Sequence, residues 1–277
     1  MSLRILVVAS ETPDQQDARR ARSREASHET YVSTLRAIDA TLRIEDVSCV
    51  TGDAGPDGPA LSGFDGIVFA GSPIQMHDVS AATRSAARFM ERVFEAGTPS
   101  FGSCAGLQIA AVSAGGSVRA RTGRMEAGFA RGIWPTEAGT GHFLLRGRPG
   151  AWDAPAMHAS MVDRLPEGGT VLARTVDTPV EAARIRRGAG TFHGVQYHPE
   201  ISLTEVAQAL RDQAETLVEQ DLAADAAAVE RYAGTLETLD ADPGRRDLAW
   251  QLGLDREVTD RTHRQREITN FLDHLRG

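Results

Sequence analysis

Two short stretches of this 277-residue chain carry the residue types that open amide bonds. In "FGSCAGLQ" (Phe101–Gln108), Cys104 stands between Gly102 and Gly106, after an apolar run that reads as a strand and before one that reads as a helix. Small neighbours let the backbone bend sharply, which is what lifts a nucleophile clear of its sheet at a strand-to-helix turn. The free N–H groups of the helix start favour negative charge there. Cysteine is also among the residues most often buried, so these residues alone leave Cys104 open as a core hydrophobe or a nucleophile. In "FHGVQYHPE" (Phe192–Glu200), His198 and Glu200 flank Pro199, which keeps the chain extended. A nucleophilic cysteine needs an imidazole to take its proton and a carboxylate to orient that imidazole. The i, i+2 spacing aims both at one face. A surface histidine beside a charged turn is the alternative.

Such groups must be held by elements that the hydropathy pattern outlines. "RILVVAS" (Arg4–Ser10) is a continuous β-branched run of the kind buried on both faces of a parallel sheet. A polar stretch follows, then a helical pattern around Tyr31–Ala40, a strand over Ile44–Val50 and a loop at "GDAGPDGP". "FDGIVFAGSP" is a third strand, Ala81–Ala96 a helix, "TPSFGSC" a fourth strand and "AGLQIAAVSAGG" a short helix. This alternation predicts an α/β fold, an open, mostly parallel sheet flanked by helices. From Gly116 to about Glu200, short pieces ("GSVRA", "GIWPT", "TVLARTV", "EAARIRR", "TFHGVQYHP") predict an antiparallel extension. Beyond Ser202 the pattern is helical, with stripes at Val206, Leu210, Leu217 and Val218, and at Val229, Tyr232, Leu236 and Leu239. After a break at "DADPGRR", a second helical segment spans Asp247–Arg276.

Composition narrows the chemistry. A net charge of −8 argues against a nucleic-acid partner. All 30 basic residues are arginines, so neither a P-loop lysine nor a Schiff-base lysine exists. No run of about 18 apolar residues predicts a membrane span, and "MSLRILVVAS" reads as a first strand rather than a signal peptide. Two cysteines, Cys49 and Cys104, give no disulfide framework and predict a reducing, cytoplasmic setting. His142, His158 and His193 lack metal-ligand spacing, so no metal and no cofactor is expected.

Taken together, "FGSCAGLQ" and "GVQYHPE" resemble the class I (triad-type) glutamine amidotransferases, from residue 3 to about 205, in particular the glutaminase domain of GMP synthases and its free-standing relatives. The resemblance implies a flavodoxin-like amidotransferase domain over 1–205, with 206–277 as a helical C-terminal extension. It implies Cys104, His198 and Glu200 as a catalytic triad. "FAGSP" resembles the family's oxyanion strand, its Gly-Gly-Pro turn appearing as Gly71-Ser72-Pro73, which implies an oxyanion hole at Ser72 and Ala105. Gly71, Gln108, His158, Ala159 and Ser160 match positions that implies for substrate binding, together with "EAGFARGI". Two positions depart from the family: the acidic residue of its Ser-His-Gly-Asp-like segment is Ser160, and Ala105 stands where relatives often carry a larger side chain.

The implied activity is hydrolysis of the side-chain amide of glutamine through a Cys104 thioester, with ammonia passing to a separate synthetase or ligase subunit. The altered "MHAS" segment motivates an alternative, hydrolysis of another γ-glutamyl amide or peptide by the same triad. A non-catalytic binding module is the third reading. Elsewhere, "ARRARSRE" (Ala18–Glu25) reads as a solvated helix face, with contact to an acidic partner or a substrate carboxylate as its alternative. His77 reads as a loop residue rather than part of the site. The C-terminal stripes are expected to pack on the domain or make an oligomer contact, with partner docking as the sharper alternative.

Overall fold

The structure, a computed structural model, describes residues 2–23, 25–51 and 57–277. Its strands in chain order are β1 (Arg4–Ala9), β2 (Arg43–Ser48), β3 (Gly66–Phe69), β4 (Ser100–Ser103), β5 (Ser117–Ala120), β6 (Glu126–Pro135), β7 (Trp152–His158), β8 (Ser160–Arg164), β9 (Gly169–Arg174), β10 (Ala182–Arg187) and β11 (Gly190–Val195). The helices are α1 (Pro13–Ser23), α2 (Ser27–Ile38), α3 (Gly58–Leu61), α4 (Ala81–Ala96), α5 (Ala105–Ser113), α6 (Leu203–Asp212), α7 (Ala214–Glu219), α8 (Ala226–Ala241), α9 (Arg246–Leu252), α10 (Arg256–Thr259), α11 (Arg261–Arg264) and α12 (Arg266–Arg276).

Among the described residues, nine strands form one sheet in the order β2-β1-β3-β4-β11-β10-β9-β6-β7. The β2-β1-β3-β4-β11 part is parallel, and the rest is the antiparallel extension that the glycine-rich region predicts. β5 and β8 pair separately. The continuous apolar run of β1 has its reason in two covered faces. Leu6 and Val8 pack with Phe89, Met90 and Leu107 of α4 and α5, whereas Ile5 and Val7 pack with Tyr31 of α2 and Phe271 of α12. Because β1 lies between β2 and β3, the sheet grows in opposite directions from it. That arrangement opens a crevice at the carboxyl ends of β1 and β3.

Three predictions from the sequence are corrected. The polar stretch before Tyr31 contains α1, read from the sequence only at Ala18–Glu25 as a solvated helix face, because it buries none of its residues and so shows no apolar stripe; α2 then begins at Ser27, four residues before the apolar pattern does. β7 and β8 go unpredicted, β7 because Pro155 interrupts it. The segment 247–276 is four helices, α9–α12, rather than one. The loop expected at "GDAGPDGP" falls outside the described residues up to 56, and α3 starts at Gly58. Of the C-terminal stripes, Val229, Leu236 and Leu239 are buried, but Tyr232 and Trp250 are 36% and 85% exposed. Among the described residues, no helix is long and apolar enough to cross a membrane.

α12 is fastened to the sheet by stacking and by charge. Phe271 stacks on Phe101 of β4 at 5.5 Å. Arg148 donates two bonds of 2.7 Å to Glu267 and one of 2.8 Å to Glu257, while the Tyr197 hydroxyl donates to Glu267 at 2.9 Å. Arg148→Met would leave the fully buried Glu267 without its cation, and the expected loss is about 3–5 kcal/mol of stability. Urea denaturation of both proteins checks this, and a change within error would count against a structural role for the ion pair.

Candidate active site

Cys104 is the first residue beyond β4, and its backbone sits at φ 50°, ψ −106°. A non-glycine residue at positive φ costs on the order of 1–3 kcal/mol and persists only where its surroundings impose it. They do so here. The Cys104 amide donates to Val195 O of β11 at 2.8 Å. Gly102 and Gly106 let the turn press against β3: a Cβ on either would stand 2.9–3.0 Å from Phe69 O. α5 starts at the next residue, Ala105, so its first free N–H groups lie beside the thiol.

His198 and Glu200 follow β11, the neighbour of β4, and so reach the same sheet edge. His198 Nδ1 lies 2.7 Å from Glu200 Oε1, which also accepts from the Ser103 hydroxyl at 3.1 Å. The turn after β3 closes over both reactive groups: a Cβ on Gly71 would lie 2.7 Å from His198 Cε1 and 3.5 Å from Cys104 Cβ. Burial opposes charge on His198, but the Glu200 carboxylate and then Cys104 outweigh it and raise its pKa to about 10. The Glu200 side chain therefore favours His198 as the imidazolium. Such an imidazolium can hand a proton to a leaving amine, and as imidazole it can take one from a thiol or water.

A cleft of about 440 Å³ opens here, lined by Cys104, His198, Glu200, Gly71, Ser72 and Met157, among others. A larger cavity of about 580 Å³ touches Glu200 without reaching Cys104. Gly71 and Ser72 thus fall in the cleft, whereas Gln108, His158, Ala159 and Ser160 are not among the described residues that line it. Ala159 is an exposed bend whose carbonyl accepts from the Arg121 amide. The other three form a buried layer. Gln108 Nε2 donates to Ser160 O at 3.1 Å and Gln196 Oε1 at 3.2 Å, and the Ser160 hydroxyl donates back to Gln108 Oε1 at 3.0 Å. His158 Nδ1 lies 2.9 Å from Ser160 O and its Nε2 2.8 Å from Glu126 Oε2. Ser160 therefore serves Gln108 where the family pattern has an acid. His77 lies 3.7 Å from Asp78 and does not line the cleft.

Sequence reasoning misses Tyr31 and Ser103. Burial and the nearby Glu200 carboxylate push the Tyr31 phenol well above its usual pKa, so it stays neutral beside that carboxylate. Nothing in its helical pattern marks it as more than core; Ser103, adjacent to Cys104, could have been flagged by position alone. Among the described residues, no three His, Cys, Asp or Glu side chains are grouped to hold a metal ion.

Comparison with known proteins bears on the family and the fold. The sequence model of the family described as glutamine amidotransferase class-I matches residues 27–215. A γ-glutamyl-L-1-hydroxyisopropylamide hydrolase of a Pseudomonas species is 35% identical over 220 residues, which cover 78% of this chain and 74% of that protein. A glutamine-hydrolysing GMP synthase of Leifsonia xyli is 38% identical over 146 residues, covering 52% of this chain but spanning only 27% of the synthase. Among solved structures, a glutamine amidotransferase of Thermotoga maritima has a TM-score of 0.65 at 13% identity, over 99% of this chain and 98% of that one, a likeness of fold alone.

The raised His198 pKa makes a pH test possible. A histidine whose pKa rises on folding adds stability that is complete below its unfolded value and is lost as pH climbs through the folded one. For His198 that window runs from 6.5 to about 10. The stability gap between wild type and Glu200→Gln is expected to narrow steadily across it in urea melts. A gap independent of pH would rule out the ion pair.

Proposed function

We propose that this chain, which belongs to the class I glutamine amidotransferase family, hydrolyses the γ-glutamyl amide of a small amine through a thioester on Cys104. It is an amidohydrolase by its family and by its kinship to a named hydrolase. The observation that carries the finer reading is the convergence of Cys104, His198 and Glu200 at the carboxyl ends of β4 and β11, in one cleft. The substrate class is supported by the Pseudomonas hydrolase, which aligns along most of both chains, and by Ser160, whose hydroxyl is spent on Gln108. We read 1–205 as the catalytic domain and 206–277 as its helical extension, which fits the end of the family match at 215.

The reaction runs in two halves. Cys104 attacks the γ-carbonyl carbon as the thiolate, its proton held on the His198 imidazolium. We assign the Ser72 and Ala105 amides to the oxygen that becomes negative; one such donor is typically worth about 3 kcal/mol. The tetrahedral intermediate collapses as the imidazolium protonates the leaving nitrogen, releasing the amine and leaving a γ-glutamyl thioester. Water then gives a proton to His198 and attacks the thioester carbon. Collapse expels the thiolate, and glutamate leaves. Glu200 keeps the imidazole aligned in both halves.

A second reading, glutaminase activity that feeds ammonia to a separate synthetase, is favoured by the GMP synthase relatives. An assay of the isolated protein separates the two. The expected result is partner-free hydrolysis of γ-glutamylethylamide with kcat/KM above that for glutamine. Cys104→Ala should remove it by on the order of 10⁴–10⁶-fold while the thermal melt stays cooperative. Activity retained in that variant would sink the thioester; activity on glutamine alone, and only beside a synthetase, would move the function to the second reading.

A further inference from the structure

The cleft that holds Cys104 also carries charged groups that the thioester chemistry leaves unused: Arg22 pairs with Asp212 at 3.2 Å, which leaves Arg19, Glu205 and Glu11 to be accounted for. Arg19 lies on α1. Its Nε is sealed from water without a partner, and among the described residues its guanidinium has only Glu205, at 3.6 Å. Glu205 is already committed: one oxygen accepts from the Thr30 hydroxyl at 3.0 Å, the other from the Ser202 amide and hydroxyl at 2.9 and 3.0 Å. Arg20, next along the same helix, is by contrast satisfied, with Glu29 at 2.9–3.2 Å and Asp17 at 3.1 Å. Leaving a buried donor unmade is costly, and native structures rarely do so without a reason.

Glu11 is the matching anion. It stands just past β1 and is 2% exposed; among the described residues its carboxylate accepts only from the Ser27 amide at 2.8 Å and hydroxyl at 2.9 Å. Among the described residues no cation pairs with it, although buried charges are ordinarily paired. So a cation with an unmade donor, only loosely paired with Glu205, and an anion with no cation among the described residues share one cleft without pairing with each other. Their place is the crevice that the strand order opens beyond β1 and β3. Both also precede residue 27, where the family match begins, whereas Cys104, His198 and Glu200 lie inside it.

We infer that Arg19 and Glu11 bind the amino-acid head of the substrate, with the guanidinium on the α-carboxylate and the Glu11 carboxylate on the α-ammonium. This rests on the γ-glutamyl reading above. In a γ-glutamyl amide, only the glutamyl half carries a free ammonium and carboxylate on one carbon, because the amine nitrogen is tied up in the amide. A planar guanidinium suits a carboxylate bidentately. The pair thus selects the acyl half of the substrate and leaves the amine half to the rest of the cleft.

Calorimetry with three small acids tests the assignment: glutamate, glutarate (which lacks the ammonium) and 4-aminobutyrate (which lacks the α-carboxylate). Arg19→Gln is expected to weaken glutamate and glutarate by about tenfold or more and to leave 4-aminobutyrate unchanged, as loss of a charge-assisted bond requires. Glu11→Gln is expected to weaken glutamate and 4-aminobutyrate and to spare glutarate. Equal weakening of all three, no weakening, or no binding of glutamate to wild type overturns the assignment. Glu11 also holds the start of α2, so if Glu11→Gln melts early, Arg19→Gln carries the test alone. Steady-state kinetics with γ-glutamylethylamide and γ-glutamylglycine keep this inference separate from the function. A wild type that binds glutamate as expected yet hydrolyses neither compound defeats the function and leaves the site. A wild type that hydrolyses both, with an Arg19→Gln KM unchanged for the ethylamide, defeats the site and leaves the function; so does a KM effect confined to γ-glutamylglycine, which would put the guanidinium on the leaving amine.

Discussion

A cysteine held at positive φ is a local cost that the surrounding sheet has to meet, and much of this fold can be read as the means. β4 is only four residues long, and its two neighbours converge on its end: β3 through the contact of Phe69 with the elbow glycines and β11 through the Val195 carbonyl. Without glycine at 102 and 106 the elbow could not approach β3, and without β11 in parallel register beside β4 the Cys104 amide would lose its acceptor. The strain is therefore imposed from several directions at once, which is the condition under which such a conformation survives.

The same parallel register brings the base. Because β11 runs alongside β4, the residues that leave it, Tyr197 to Glu200, emerge at the sheet edge where Cys104 turns. Glu200 is 5% exposed, so its hydrogen-bond partners are neighbours rather than water. His198 supplies the opposite charge and the Ser103 hydroxyl a donor, while the neutral Tyr31 phenol completes the wall. One residue before His198, Tyr197 donates to Glu267, which Arg148 anchors. The C-terminal helices thus bear on the strand that delivers the base. The buried charge cluster that fastens them and the reactive pair are separated by a single peptide unit.

Features with strong periodicity or tight stereochemistry were legible in the sequence. The two-faced run of β1, the amphipathic α4 and the Gly-x-Cys-x-Gly elbow each have one physical solution, and each stands where the pattern put it. α1 was legible only in its second half, where the arginine run reads as a solvated helix face; its start was not, because the helix is held by ion pairs, Arg19–Glu205 and Arg22–Asp212, and without an apolar face it leaves no hydropathy signature. β7 hid behind a proline, and the four-way break of the C-terminal segment hid behind helix-forming residues whose local caps, Asp255 and Asp260, look like ordinary surface acids. Within the site, residue type singled out Cys104, His198 and Glu200 as candidates, but the supporting layer is relational. Ser160 looks like a missing acid until Gln108 is seen bonded to both its carbonyl and its hydroxyl.

This contrast suggests how the fold divides its labour. Elbow, base and orienting carboxylate all hang from β4 and β11, so their mutual geometry is fixed by backbone pairing and tolerates little change. The crevice mouth beyond β1 is a consequence of strand order alone, and whatever connects β1 to β2 must pass beside it. Here that connection is α1 and α2, the first a fully polar helix tied to α6 by side-chain charge. Ion pairs at a part-exposed surface are weak and can be exchanged without disturbing a core, so α1 can change its lining residues while the reacting groups stay in place. A segment so loosely coupled to the core is where a chain with a fixed amide-opening apparatus can alter what it admits.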